Sequence, residues 1–339
     1  MIRRILILTV LGIFLLSCGS AATPAPLMID SPPTATPSPS STPPAATETS
    51  LPTDTPMPLP KFERVLIVSF DGLRPDAIAE AEMETVLSLM QTGAYTFGAQ
   101  TIMPSSTLPS HASMLVGTCP EKHIVRWNQY VPENGFAIGA DLFDLAHAAG
   151  LRTVMVVGKE KLRQITEPAS TDYFAFVDQT DKIEDQFTIE QLAIQQILQG
   201  FNLMFVHFPS GDLAGHDHGW MSYKQLKKYH IDDESFGYIL GALKNHGMYE
   251  STLVIVTADH GGHDTTHGTN MLEDMTIPWI ISGAGVRPMQ LTTQVLTTDT
   301  AATAAFALGL PIPPEWDGVP VTEAFGLPVE AREWPVCQY

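Results

Sequence analysis

The chain has 339 residues, 44% of them hydrophobic and 16% charged, with a formal net charge of −19 at neutral pH. Such an acidic chain is a poor bulk partner for nucleic acid, whose binding rests on neutralising phosphates with Lys and Arg. An anionic small molecule would be held only with the help of local cations, and a bound metal ion is often the largest local charge in a site.

Arg3 and Arg4 precede an apolar stretch of 12 residues, Ile5 to Leu16. That stretch is too short to cross a bilayer core of roughly 30 Å as a helix, so the N-terminus reads as an export signal over residues 1–18. It ends in Leu15-Leu16-Ser17-Cys18, which resembles the bacterial lipobox. The resemblance implies that Cys18 is diacylated and holds the protein on the outer face of the cell membrane or on a periplasmic membrane face. The bland alternative is an ordinary cleaved signal in which Cys18 is incidental. Residues 19–60 carry 12 of the chain's 27 prolines among Thr, Ser and Ala. That composition cannot bury enough apolar surface to offset ordering, which predicts an extended linker. Residues 61–339 suit one large domain with a sizeable core. Within it, an exported compartment permits Cys119 and Cys337 to pair, but the sequence does not show their distance.

Arg64 to Phe70 (RVLIVSF) is an apolar, β-branched run and predicts a buried strand ended by Asp71-Gly72. Helices are expected over 82–91, over 107–117 after a Pro-rich loop, and over 141–149, followed by a strand at 153–157. An amphipathic helix over 186–199 leads into a strand at 203–208. A long helical region covers 222–246, strands cover 252–257 and 277–281, and 301–310 closes as a helix. Strands alternating with helices predict an α/β/α sandwich with a mostly parallel central sheet. In such sheets ligands bind beyond the carboxyl ends of the strands.

The chemically suspicious residues sit there. Asp71 follows the first strand, and by itself could simply start a turn. Asp259 and His260, in Thr257-Ala-Asp-His-Gly-Gly262, follow another strand. Asp212 and His216, four apart, can face one ion from a single loop or turn, and His267 follows in Thr266-His-Gly268. Mixed carboxylate and imidazole ligands suit zinc. Thr107, in Met103-Pro-Ser-Ser-Thr-Leu-Pro-Ser-His111, opens a helix. It is a plain N-cap or a nucleophile, since a helix N-terminus favours an anionic oxygen and offers N–H groups to phosphate.

Taken in order, these segments resemble the type I phosphodiesterase/nucleotide pyrophosphatase family of the alkaline phosphatase superfamily. That family has an Asp-Gly metal site, a Pro-x-x-Thr-x-Pro-x-His nucleophile segment, Asp-x-x-Gly-His, Asp-His-Gly and a final His. Here they are Asp71-Gly72, Pro104 to His111, Asp212 to His216, Asp259-His260-Gly261 and His267. Gly117 to His123 is similar to the family's Gly-x-x-Pro-Glu-x-His, and Asn128 lies where the family has an Asn that donates to a phosphate oxygen. The resemblance covers nearly all of 64–325. It implies an alkaline-phosphatase-like catalytic domain over 61–339 and a zinc-dependent hydrolase acting on a small-molecule phosphodiester or nucleotide pyrophosphate. One of two Zn2+ ions would be held by Asp212, His216 and His267, the other by Asp71, Asp259 and His260. Thr107 would attack to give a phospho-threonine, with Asn128 and the Leu108 N–H steadying the equatorial oxygens.

There are departures. Ser110 and Ile124 stand where eukaryotic relatives tend to have Asn and Gly. The final His follows the Asp-His pair by only seven residues, so the domain is a compact form and cap-borne substrate contacts do not carry over. His263 competes with His267, which is favoured because it precedes Gly268. Lys159 and Lys161, after the strand at 153–157, are either a solvated loop or a substrate-anion contact, as in the similar Lys-x-Lys of phosphonoacetate hydrolases. Trp127, Tyr130 and Trp220 either stack on a substrate ring or pack in the core. The Cys-x-Pro-x-Arg nucleophile segment of a sulfatase is absent. Remaining alternatives are a phosphomonoesterase or phosphonoacetate-hydrolase-like enzyme, or a non-catalytic lipoprotein that binds a metal or solute.

Overall fold

The computed structural model describes residues 62–178, 184–329, 332 and 336–337. Cys18, the leader over 1–18 and the linker over 19–60 lie outside the described residues. Among the described residues no helix is long and apolar enough to cross a membrane.

In chain order the elements are β1 (Arg64–Phe70), α1 (Ala77–Glu80), α2 (Glu84–Thr92), β2 (Ala94–Gln100), α3 (Thr107–Val116), α4 (Pro120–His123), α5 (Leu142–Ala148), β3 (Thr153–Val157), β4 (Tyr173–Phe176), α6 (Glu184–Gln199), β5 (Leu203–Phe208), α7 (Ser210–His218), α8 (Tyr223–Asn245), β6 (Thr252–Thr257), α9 (Leu272–Met275), β7 (Thr276–Ser282), β8 (Met289–Gln290) and α10 (Asp299–Leu308). Their sheet order is β4-β3-β5-β1-β6-β7-β2-β8. Only β7 runs against the others, pairing antiparallel with both β6 and β2. The inner strands β3, β5, β1 and β6 are parallel neighbours. Each reads as a nearly unbroken apolar run because helices cover both faces of the sheet, leaving no solvated side to favour polar alternation. One helix group gathers α1, α2, α6 and α7 against α8, and the other gathers α3 and α5 against α10. This is the α/β/α sandwich with a mostly parallel sheet that the sequence predicts.

Strands β2, β4 and β8 and the short helices α1, α4 and α9 have no counterpart among the expected elements, and α7 takes another form. The loop or turn expected around Asp212 is a nine-residue helix, α7. Its glycines give it poor helix propensity, but they let it lie against its neighbours: a Cβ at Gly211 would come within 1.9 Å of the Tyr229 ring. Strand β2 was not expected at all. Its run AYTFGAQ has no clear alternation, and its pairing with β7 shifts register between Thr96 and Ala99. Tertiary pairing, rather than local preference, makes it a strand.

Cys119 and Cys337, whose pairing the sequence left open, are joined by a disulfide with Cα atoms 5.5 Å apart across 218 residues. It ties the C-terminal segment to the loop between α3 and α4. The loop leaving α4 is held by His123, which donates from Nε2 to Ser113 Oγ at 2.8 Å and accepts the Val125 N–H at Nδ1. Burial pushes His123 down to about 4, so it is neutral at physiological pH. Asn128 lies five residues further along.

Candidate metal centre and active site

Four adjacent parallel strands deliver the site. Asp71 directly follows β1, Lys159 follows β3 by two residues, Asp259 follows β6 by two, and Asp212 sits in the first turn of α7 just beyond β5. Crossover connections return each of these parallel strands in the same direction, so their carboxyl ends converge at one edge.

Among the described residues, two groups of side chains have ligand atoms within 4.8 Å of one another: Asp71, Asp259 and His260, and Asp212, His260 and His267. His260 belongs to both, and its ring stacks on that of His267 with centroids 3.8 Å apart. His216 stands beside the second group, its Nε2 3.4 Å from Asp212 Oδ1 and its ring centroid 5.0 Å from that of His267. All six residues that the family resemblance points to are therefore brought together. His263 is not: its Nδ1 pairs with Asp274 Oδ1 at 2.7 Å, away from the cluster.

Hydrogen bonding leaves ligand atoms exposed to a cation. His260, His267 and His216 donate their Nδ1–H to the carbonyls of Gly261, Ser105 and Thr265, at 2.7, 2.8 and 2.9 Å. Each therefore turns a bare Nε2 toward the carboxylates, the arrangement in which imidazole binds a metal. Among the described residues, the buried polar atoms without a hydrogen-bond partner include Asp71 Oδ1, Asp212 Oδ1, Asp259 Oδ2 and His260 Nε2. Unpaired buried carboxylate oxygens cost free energy. Four unpaired atoms meeting in one place, three carboxylate oxygens and one imidazole nitrogen, fit the binding of a divalent cation.

The electrostatics match. Burial alone pushes Asp71 up, but the Lys159 ammonium and the His207 hydrogen bond overcome it and hold the carboxyl well below the usual range. Asp259 goes the other way, raised by burial and by the charge on Asp71. Burial, with His267 beside it, pushes His260 down to about 3, which keeps its Nε2 lone pair available.

Thr107 is the first residue of α3. The N-cap position is Ser106, and neither side chain caps the helix. The plain N-cap reading of Thr107 therefore has no support. Instead its Oγ lies 3.2 Å from Lys159 Nζ, which also reaches Asp71 Oδ2 at 2.6 Å and Asp212 Oδ2 at 2.5 Å. The Lys159-Glu160-Lys161 segment is thus no solvated loop. Lys161 Nζ donates to Asn128 Oδ1 at 2.9 Å, and burial together with Lys159 lowers it to about 8. The Leu108 N–H, expected to face substrate, donates to the same Asn128 oxygen at 3.0 Å. That leaves the Asn128 amide nitrogen as the donor directed elsewhere. Trp127 is held by Gln164, to which its indole N–H donates at 3.3 Å, while Tyr130 is exposed.

Sequence reasoning missed His207, and it has His111 only as the last residue of the nucleophile segment, with no role of its own. His207, on β5, donates from Nε2 to Asp71 Oδ2 at 2.9 Å and accepts the Gly158 N–H at 3.2 Å, bridging a candidate ligand to the Lys159 loop. His111 donates to the Thr107 carbonyl and accepts from Ser69 Oγ, both at 2.8 Å, fixing the first turn of α3 on the sheet. Ser69 and His207 are register partners on β1 and β5. The available signal was a lone polar residue inside each apolar strand run, since a fully buried polar side chain needs a partner.

Comparison with known proteins agrees with this geometry. The chain is 29% identical to the human GPI ethanolamine phosphate transferase 2 catalytic subunit over 278 residues, covering 76% of this chain and 28% of that protein. It is 22% identical to a bis(5'-adenosyl)-triphosphatase (enpp4) of Xenopus laevis over 220 residues, covering 58% of this chain and 47% of that one. The chain thus spans less than half the length of both relatives. An inactive murine ectonucleotide pyrophosphatase/phosphodiesterase 5 in complex with AMP superposes with a TM-score of 0.61 at 15% identity, over 74% of this chain and 96% of that one. Residues 65–280, more than half of the chain, match one family as a whole. The chain therefore belongs to the type I phosphodiesterase/nucleotide pyrophosphatase family.

Proposed function

We propose that this protein is a zinc-dependent hydrolase of phosphodiester or nucleotide pyrophosphate bonds that works through a phospho-threonine intermediate. The observation that carries the proposal is the set of unpartnered ligand atoms on Asp71, Asp212, Asp259 and His260, next to an uncapped Thr107 hydroxyl. Asp71, Asp259 and His260 would hold one ion, and Asp212, His216 and His267 the other. When bound, zinc supplies Lewis acidity that favours the ionised threonine oxygen and offsets charge on the transferring phosphoryl group. The rest is the work of the chain. Thr107 Oγ forms the bond to phosphorus as the bond to the leaving oxygen breaks. The Lys159 ammonium, 3.2 Å from that oxygen, stabilises the negative charge it carries. The Asn128 amide donates to an equatorial oxygen, held in place by its contacts to Leu108 and Lys161. Water then cleaves the phospho-threonine. AMP in the murine relative supports a small nucleotide as the substrate class.

The test compares kcat/KM for bis(p-nitrophenyl) phosphate, a thymidine p-nitrophenyl ester and p-nitrophenyl phosphate, with the two diesters expected to be faster. A monoester preference of about tenfold or more, roughly 1.4 kcal/mol of transition-state discrimination, would overturn the diester assignment. A second reading, toward substrates with an additional negative charge such as monoesters or phosphonates, is favoured by one observation: Lys159 and Lys161 both reach into the site. If Lys161 binds such a charge, it does so below about pH 8, where it is protonated. KM for a dianionic substrate should then rise as pH passes that value, and Lys161→Arg, charged throughout, should flatten the rise.

We also propose that the protein is exported and anchored through Cys18. Cys18→Ala is expected to move it from the membrane fraction to the soluble exported fraction. Unchanged membrane association would exclude acylation at that residue.

A further inference from the structure

Three of the four segments that bear candidate ligands are Asp71-Gly72 after β1, Asp212 to His216 on α7, and Asp259 to Gly262 after β6, the fourth being the loop with His267. These three come from distant parts of the sequence, yet each has a glycine next to or within two residues of a ligand, and all three glycines face the same indole. A Cβ built at Gly72 would lie 3.3 Å from the Trp220 ring, at Gly215 3.0 Å, and at Gly262 2.1 Å. The first two approaches are tight, and the third leaves no room for any side chain. Trp220 is only 8% exposed and donates its indole N–H to the Gly72 carbonyl at 3.0 Å. The remaining edges of the ring meet two candidate ligands, His216 at 5.1 Å and His267 at 5.8 Å between centroids, both edge-on. The indole is itself set by a constrained turn. Gly219 and Met221 on either side have φ of +93° and +62°, and the Trp220 N–H donates to the Asp264 carbonyl at 2.7 Å, in the loop that carries His267.

We propose that Trp220 is a positioning residue that sets the spacing of the two metal half-sites. It does so as a rigid plate against which the three ligand-bearing segments and two ligand imidazoles are packed. An indole suits the task because it has two flat faces, only two rotatable bonds and one donor to fix its rotation. Its burial leaves no face for stacking on a substrate base, which was the open alternative. Groups that orient a metal's ligands typically change its affinity by 10–100-fold when removed. The inference rests on the metal-site reading above, and its test separates the two.

The experiment measures zinc stoichiometry and Kd by titration calorimetry, together with the visible absorption of the Co2+-substituted protein. The proteins are wild type, Trp220→Ala, Trp220→Phe, Gly262→Ala and the Trp220→Ala/Gly262→Ala double variant, with far-UV circular dichroism as the check on folding. Trp220→Ala is expected to weaken at least one zinc site by about 10–100-fold and to alter the Co2+ spectrum. Trp220→Phe should recover much of both, because it keeps a flat ring without the donor. Gly262→Ala drives a methyl into the indole and should weaken zinc comparably. Added to Trp220→Ala it should cost nothing further, since the atoms it would strike are gone. Wild-type affinity and spectrum in both Trp220→Ala and Gly262→Ala would overturn the inference, as would additive losses in the double variant. If Trp220→Ala does not fold, Trp220→Phe and Gly262→Ala decide: unchanged affinity and spectrum in both overturns it, and weakened zinc in Gly262→Ala supports it. Absence of zinc binding in the wild type, or an unchanged stoichiometry and affinity in Asp259→Ala, would instead refute the metal-site reading itself.

Discussion

Thr107→Ala is expected to lower kcat/KM by on the order of 10^4-fold or more, about 5 kcal/mol of transition-state stabilisation, while keeping the fold and the bound metal. The hydroxyl is the only nucleophilic atom at the start of α3 that touches the Lys159 ammonium, and it does no structural work as a helix cap. Truncation removes the attacking oxygen and leaves the Asp and His side chains in place. Although the side chain is fully buried, only one oxygen and one methyl group are removed, so the void and its cost in stability should be small beside the loss of activity. Thr107→Ser should retain part of the activity, since the oxygen survives and only the methyl group that restrains its rotamer is lost. Rapid quenching of wild type during turnover should trap phosphate on Thr107, detectable by mass spectrometry. Rates near wild type in Thr107→Ala, with no trapped phosphate in the wild type, would eliminate the covalent route.

Chelation should abolish turnover, and zinc should restore it. Asp259→Ala should lose at least one metal and about 10^3-fold or more in kcat/KM, corresponding to the several kcal/mol that a metal contributes to transition-state charge stabilisation. Zinc binding should also stabilise the fold, by about 4 kcal/mol at a thousandfold excess over Kd. For a domain of this size that is a Tm rise on the order of 10 °C, reduced in Asp259→Ala. The pH dependence has a definite sign. Asp259 is raised by burial and by its neighbour Asp71, and His216 is raised by the Asp212 carboxylate, whose Oδ1 lies 3.4 Å from its Nε2. Both must lose a proton to ligate, so zinc affinity should rise with pH through their titrations and fall as the solution is acidified. His260, already held down to about 3, contributes nothing to that slope at neutral pH. Full activity in a dialysed sample free of residual metal would refute the two-zinc reading.

The sequence by itself determined the inner strands, the longer helices between them and the chemistry at the strand ends. Strands β1, β3, β5 and β6 are legible because a strand covered on both faces must be apolar throughout, whatever it pairs with. Their bounds match the predicted ones, and the Asp and His residues just beyond them are local in sequence. What only the tertiary structure decided depends on contacts between distant segments. It made α7 a helix despite its glycines and β2 a strand despite its weak pattern. It joined Cys119 to Cys337 and drew His267 rather than His263 into the cluster. It also turned Lys159 and Lys161 inward, onto Thr107 and Asn128, where the sequence reads equally well as a charged surface loop. The supporting roles of His207, His111 and Trp220 belong to the same class. His207 and Trp220 touch a ligand-bearing segment from another element, His111 ties the nucleophile segment to Ser69 on β1, and burial of a polar or aromatic side chain acquires a function only once its neighbours are known.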